Sequence, residues 1–134
     1  MHRVAISSTG LFTPPYVITN EELVASFNQY VALENAKHAA EIAAGTRTAL
    51  TESSVEFIEK ASGIQRRYVL EKTGILDPHR MRPRFEPRPD SELSLMAEIA
   101  VKAAQDALAR AGKTAADVDG VICAAANMQR AYPA

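Results

Sequence analysis

A long helical stripe followed by a short, uniformly apolar run constrains the fold of this chain most strongly. Apolar residues recur at helical spacing from Leu93 to Ala111, and Gly112 is a typical stop signal. We expect this helix to begin at Asp90 or Ser91. The run 121–125 has the length of a strand and is apolar on both faces, which is typical of a buried parallel strand. A helix that leads into such a strand predicts an α/β fold.

The first part of the chain predicts one more strand and a long helix. Apolar residues within 3–11 predict a strand, and the pair Pro14–Pro15 ends it because proline cannot continue a central strand. Thr19 and Glu22 have the spacing of a capping box. We therefore expect a helix that begins there and continues through an alanine-rich stretch to Gly45.

A short helix and an extended arm follow. Ser53 or Ser54 is the predicted cap of the helix, and Gly63 is its predicted end. The pattern alone predicts that Phe57 is a core residue. Phe57 and its apolar neighbours cannot all lie on one face of the helix, so burying them requires a helix that is mostly covered. The segment 64–70 predicts a short strand.

From 73 to 89 the composition changes to proline and arginine. Proline at this density excludes a helix or a central strand, so we expect a surface loop. Its arginines, together with Arg66 and Arg67, have two open interpretations. They are either a solvated surface or an electropositive patch that binds a phosphate-bearing ligand or an acidic protein, since guanidinium groups pair with phosphate and carboxylate. The loop arginines are Arg80, Arg82, Arg84 and Arg88.

Charge and hydropathy exclude several classes of partner. The formal net charge is -1, so no overall field favours nucleic acid or an anionic membrane. No apolar stretch approaches the roughly 20 residues of a membrane-spanning helix, and we expect no secretory signal because the apolar part of MHRVAISSTG is too short for one. With one cysteine the chain has no internal disulfide, which agrees with a reducing compartment. We therefore expect a cytoplasmic protein.

The single cysteine and the three histidines do not predict a reactive site. Cys123 lies in the predicted buried strand with no base implied beside it, so we expect it to be a buried packing residue. His2, His38 and His79 lack metal-ligand spacing. The sequence therefore predicts no metal and no tightly bound cofactor.

Taken in order, these pieces resemble β-ketoacyl-acyl-carrier-protein synthase III. The resemblance rests on TNEEL, on VEFIEKASGIQRRYV, on the helix SELSLMAEIAVKAAQDALARAG and on DVDGVICAAANMQRAYPA. It implies a thiolase-like fold of α/β/α/β/α layers, of which residues 1–134 would be the first part of the amino-terminal half. Two stretches, at about 28–51 and 73–90, are interpreted as insertions near the substrate entrance. They suggest an atypical branch with altered acyl preference.

The resemblance also implies roles for individual residues. Phe57 matches an aromatic residue near the adenine of coenzyme A, at the mouth of the pantetheine tunnel. Ala61 stands where the family commonly has an arginine. Arg66 and Arg67 match a basic pair that contacts phosphates or the carrier protein. Tyr132 matches an aromatic residue of the dimer interface that reaches toward the partner's acyl pocket.

The chemistry that the resemblance implies is acyl transfer to a cysteine, followed by decarboxylative condensation with malonyl-carrier protein. The catalytic cysteine, histidine and asparagine are expected beyond Ala134, so we expect this piece alone to be inactive and to belong to a larger protein. Its substrates would be coenzyme A or phosphopantetheine thioesters, without a cofactor. An acyl carrier protein and a second copy of the chain are the expected partners.

Two alternatives remain open from the sequence. The parent protein could instead be a thiolase-fold subunit that has lost its cysteine and serves as a structural partner. The chain could also be a small binding module that holds an acidic partner with its arginine loop.

Overall fold

The computed structural model describes residues 4–125, which form two units. One unit is Pro14–Phe85, and the other combines the described residues before and after it. In chain order the first unit contains β1 (Tyr16–Thr19), α1 (Asn20–Lys37), α2 (Ala39–Ala43), α3 (Val55–Ser62) and β2 (Arg66–Val69). The second unit contains α4 (Leu95–Ala111) and a single 3-10 turn (Ala115–Asp117).

The strands β1 and β2 form an antiparallel pair, in which Tyr16 lies opposite Val69 and Thr19 lies opposite Arg66. Helix α1 begins directly where β1 ends. The Thr19 hydroxyl accepts the backbone N–H of Glu22 at 3.3 Å, and the Glu22 carboxylate accepts the N–H of Thr19 at 3.1 Å. The predicted capping box is therefore confirmed, and so is the strand over 64–70. The sequence did not predict β1.

Residues 28–51 extend α1 and then return beside it. Helix α1 ends at Lys37, α2 follows, and Gly45 has a left-handed φ of 71° where the chain reverses. Asn35 then exchanges two hydrogen bonds with the backbone of Leu50, at 2.8 and 2.9 Å. Asn28 does the same with Ser53, at 2.9 and 3.0 Å. Two asparagines two helical turns apart thus hold the returning segment.

Helix α3 has the predicted ends and an unexpected exposure. Ser54 caps it by accepting the N–H of Phe57 at 3.1 Å, and Gly63 ends it in the left-handed conformation. No residue of α3 is buried. The interpretation of Phe57 as a core residue is therefore wrong, because its side chain is 67% exposed.

Helix α4 starts later than predicted. Its cap is the buried Ser94, whose hydroxyl accepts the N–H of Ala97 at 3.1 Å, so the predicted start at Asp90 or Ser91 is wrong. Gly112 ends the helix in the left-handed conformation, as predicted. Several residues before α4 could cap it, and the buried Ser94 is the one whose hydroxyl reaches the helix backbone and sets the start.

The alanine-rich face of α4 packs against the start of the chain. The Ser8 hydroxyl donates to the carbonyl of Ala107 at 2.6 Å, and the Leu11 N–H donates to the Asp106 carboxylate at 2.9 Å. Gly10 allows this close approach, because a Cβ there would lie 2.8 Å from the Cβ of Ala107 and still closer to the helix backbone.

The two predicted strands of this unit are not strands in the structure. Neither 4–10 nor 121–125 is paired with another segment within residues 4–125. A strand needs a hydrogen-bonded neighbour, and these runs instead expose their apolar side chains, with Ile122 99% exposed. Cys123 is exposed as well, and its burial in the whole protein stays a prediction.

Helices and strands occur together, as an α/β fold requires, while the layered thiolase-like arrangement and the two insertions remain predictions. Tyr132 lies outside the described residues. Within the described part of the chain, every helix is too short or too polar to cross a membrane.

Candidate functional site

A cleft of about 320 Å³ lies in the unit 14–85. It is bounded by α1, α3, β2 and the loop of residues 73–89, called here the proline-arginine loop. Its volume falls in the range of small-molecule sites. Most of the side chains around it are apolar, and the polar exceptions are Ser53 and Arg67. The apolar ones are Leu23, Val24, Phe27, Ile58 and Met81.

A second cavity, of about 540 Å³, adjoins the first at the beginning of α3. The two share Phe27 and Ser53, and Phe57 lines the second one. The structure therefore brings two predicted site residues, Phe57 and Arg67, to neighbouring cavities with a common wall. An exposed aromatic ring beside an open cavity can stack on a flat ligand such as a purine.

Arg67 is held in place by a buried asparagine that the sequence analysis did not single out. The Nη1 of Arg67 donates to the Oδ1 of Asn20 at 2.9 Å, and the Nδ2 of Asn20 donates to the carbonyl of Ile64 at 2.7 Å. Asn20 is only 1% exposed. Asn20 directly follows the capping threonine, and an amide side chain there can hydrogen-bond to backbone that passes the start of the helix. This position is the sequence feature that could have indicated its role.

The arginine pair lies on β2, so its two members point to opposite faces. Arg67 is half-buried and lines the cleft. Arg66 is exposed, and its guanidinium has no hydrogen-bond or ion-pair partner among residues 4–125. The pair was predicted to act together, and the structure gives its members different surroundings.

The proline-arginine loop is organised by the carboxylate of Glu71. It accepts the hydroxyl and the N–H of Thr73, and the N–H groups of Gly74 at 3.0 Å and Arg84 at 2.8 Å. These donors, the Thr73 hydroxyl first, lower the pKa of Glu71 to about 2. Because the bonds connect its two ends, the loop has a defined conformation despite lacking helix and strand.

Most loop arginines are engaged inside the protein. Arg84 pairs with Asp77, and Arg80 donates to the carbonyls of Arg82 and Pro83 at 3.2 and 3.3 Å. In the other unit, Arg88 pairs with Glu98 at 2.8 Å. Arg82 is exposed and its side chain has no partner within the described range. Two of the six predicted cations, Arg66 and Arg82, are thus available to an external anion.

Among the described residues, no group of three or more histidine, cysteine or acidic side chains could hold a metal ion. Ala61, where the family commonly has an arginine, lies exposed on α3. Tyr132 and the expected catalytic residues are not among residues 4–125.

Comparison with known proteins identifies a relative that matches most of this chain. The chain is 57% identical over 109 residues to a β-ketodecanoyl-[acyl-carrier-protein] synthase of Pseudomonas aeruginosa, a match that covers 81% of this chain. The matched stretch is therefore similar to part of a β-ketoacyl-acyl-carrier-protein synthase. The resemblance predicted from the motifs is therefore confirmed. The match covers 31% of the relative, so the chain spans about a third of that protein's length. No protein-family model matches the chain.

Proposed function

We propose that the whole protein is a condensing enzyme of fatty-acid synthesis. A cysteine thiolate takes the acyl group from a thioester and releases the free thiol. The carboxylate of malonyl-carrier protein then leaves as carbon dioxide, and the resulting carbanion attacks the acyl-cysteine carbonyl. This attack forms the carbon–carbon bond of the 3-oxoacyl product and expels the cysteine thiolate. The reaction needs no cofactor.

The relative's name supports a product of ten carbons, and we propose the same product here. Condensation adds two carbons from malonate, so the acyl primer has eight. The 57% identity to a synthase is the observation that carries this proposal, and it favours an enzyme over a structural partner subunit or a small binding module.

Within this chain, the proposed roles concern binding of the thioester. Phe57 stacks against the nucleotide or the end of the phosphopantetheine arm, which its exposure on the second cavity supports. Arg66 attracts the phosphate or the acidic carrier, since its guanidinium is exposed and has no partner among the described residues. Arg67 forms part of the cleft wall. We further propose that the protein is a homodimer whose interface includes Tyr132.

The decisive experiment gives the purified whole protein an eight-carbon acyl thioester and malonyl-carrier protein. Mass spectrometry should detect an acyl-enzyme and a 3-oxodecanoyl product. Failure to form either species with primers from two to fourteen carbons would overturn the proposal.

The same assay tests the role of Arg66. Arg66→Ala should raise the KM for the carrier-bound substrate and leave kcat nearly unchanged, because the contact is equal in the ground and transition states. The effect should diminish as salt is added. Lys60→Ala is the control, since it removes an exposed cation from α3. An equal KM for both variants would show that Arg66 is only a solvated surface charge.

A further inference from the structure

A further cavity, of about 380 Å³, lies within the unit 14–85 and is lined by α1 and the proline-arginine loop. Helix α1 contributes Phe27 and Tyr30, whose ring centroids lie 6.3 Å apart with the rings tilted by 40°. The loop contributes four consecutive residues, which are Pro78, His79, Arg80 and Met81. An apolar cavity of about 150 Å³ accommodates one benzene ring, so this cavity has room for a small aromatic ligand.

The part of the loop that lines this cavity is fixed against α1. The Ser26 hydroxyl of α1 donates to the carbonyl of Leu76 at 2.8 Å and lies 3.5 Å from the Met81 sulfur. The N–H groups of Arg80 and Met81 both donate to the carbonyl of Asp77, at 2.9 and 2.8 Å. The φ of Met81 is 53°, a left-handed conformation that persists in residues other than glycine where the surroundings enforce it. The cavity is therefore preformed, and a ligand does not have to order the loop.

Arg80 is a half-buried cation at this cavity, and its charge is not paired with an acid among the described residues. Its Nε donates to the carbonyl of Arg82 at 3.2 Å and its Nη2 to the carbonyl of Pro83 at 3.3 Å, so one side of the guanidinium is anchored to backbone. The neighbouring acid, Asp77, is engaged by the guanidinium of Arg84. A guanidinium has five N–H donors in one plane, so the two hydrogens of Nη1 and the second hydrogen of Nη2 remain. These adjacent nitrogens match the two oxygens of a carboxylate.

We propose that this cavity binds a small aromatic carboxylate, whose carboxylate pairs with Arg80 and whose ring contacts the aromatic side chains of α1. The ring is favoured because aromatic rings attract one another in offset and edge-to-face arrangements, and thioethers also make favourable contacts with rings. The single negative charge is favoured because the cavity supplies one fixed cation. Arg66 and Arg82 have no partner in the described range either, but they are exposed and line no cavity described here, whereas Arg80 is held in place at one. The inference is independent of the proposed function, because it involves neither the thioester nor the condensation.

Calorimetry with the whole protein tests the class of ligand through three matched compounds. The probe is 3-phenylpropanoate. Its alcohol, 3-phenylpropan-1-ol, keeps the ring and removes the charge, whereas hexanoate keeps the carboxylate and removes the ring. We expect saturable one-to-one binding of the probe, with the alcohol about tenfold weaker and hexanoate about threefold weaker. The proposal is overturned if the probe shows no saturable binding up to about 10 mM, or if the alcohol binds as tightly as the probe.

Two variants locate the binding in this cavity, since Arg80 and Tyr30 line neither the cleft nor the second cavity. Arg80→Gln should weaken binding of 3-phenylpropanoate about tenfold and leave binding of the alcohol nearly unchanged. Arg82→Gln is the matched control, because it removes an exposed cation of the same loop that does not line the cavity.

Tyr30→Leu should weaken binding of 3-phenylpropanoate about threefold and leave binding of hexanoate nearly unchanged. Circular dichroism shows whether each variant is folded, and Tyr30→Leu decides the question if Arg80→Gln is not. Equal affinities of Arg80→Gln and Arg82→Gln for the probe, or of Tyr30→Leu and the wild type, would show that the probe binds elsewhere and would overturn the proposal.

Discussion

The buried Asn20 offers the sharpest test of how the candidate site is held together. Asn20→Ala removes the acceptor for the Arg67 guanidinium and the donor for the Ile64 carbonyl. A hydrogen bond to a charged group contributes about 1.5–3 kcal/mol, and one between neutral groups contributes about 1 kcal/mol. Because the side chain is 1% exposed, water cannot replace either bond without entering the structure. We therefore expect a loss of about 2.5–4 kcal/mol in the free energy of unfolding.

Urea denaturation of the whole protein measures this loss, with Asn35→Ala as the matched control. Asn35 also makes two hydrogen bonds to backbone, but they are exposed, so its loss should cost about 1 kcal/mol or less. A third variant, Asn20→Asp, keeps an acceptor for Arg67 and should lose less than Asn20→Ala. If Asn20→Ala and Asn35→Ala cost the same, the Asn20–Arg67 contact does not stabilise the site and the reasoning is refuted.

Two further predictions concern packing and pH. Gly10→Ala should cost about 1–3 kcal/mol of unfolding free energy, because the added Cβ meets the backbone of α4. Gly120→Ala is the control, since Gly120 has open space around it and its replacement should change the unfolding free energy by no more than about 0.5 kcal/mol. Equal denaturation midpoints for the two variants would contradict the packing. Glu71→Gln should lower the melting temperature most above pH 4.5, the ordinary pKa of the carboxyl, because the folded state lowers that pKa to about 2 and so favours the ionised form. The difference in melting temperature between the variant and the wild type should shrink as pH falls from 4.5 toward 2. A difference that does not change with pH would show that the charge of Glu71 does not organise the loop.

Local chemistry made several helix ends predictable. The residues that cap or end these helices interact with backbone groups only a few residues away, so each sequence signal lies close to the helix end that it determines. These residues are Thr19 with Glu22, Ser54, Gly63 and Gly112. The start of α4 was misplaced because several capping residues compete in that window. Ser94 is the one whose hydroxyl is buried and reaches the helix backbone, and sequence does not reveal burial.

Strands were harder to predict because a strand is a relation between two segments. The runs 4–10 and 121–125 have suitable residues, yet neither is paired within the described range. Residues 16–19 have a weaker pattern and lie beside two prolines, but they pair with 66–69 and become β1. Composition indicates which residues tolerate a strand, whereas the hydrogen-bonded partner decides whether one forms.

The arginine pair shows how the strand assignment carries over to function. Once 66–69 is a strand, successive side chains alternate between its two faces, so two adjacent cations cannot have the same surroundings. Arg67 faces Asn20 and the cleft, where its charge is already partly satisfied by a buried acceptor. Arg66 faces outward and keeps its full capacity to bind an anion from outside. A replacement of both arginines would therefore combine a loss of stability with a loss of binding, and only the single replacements can separate the two.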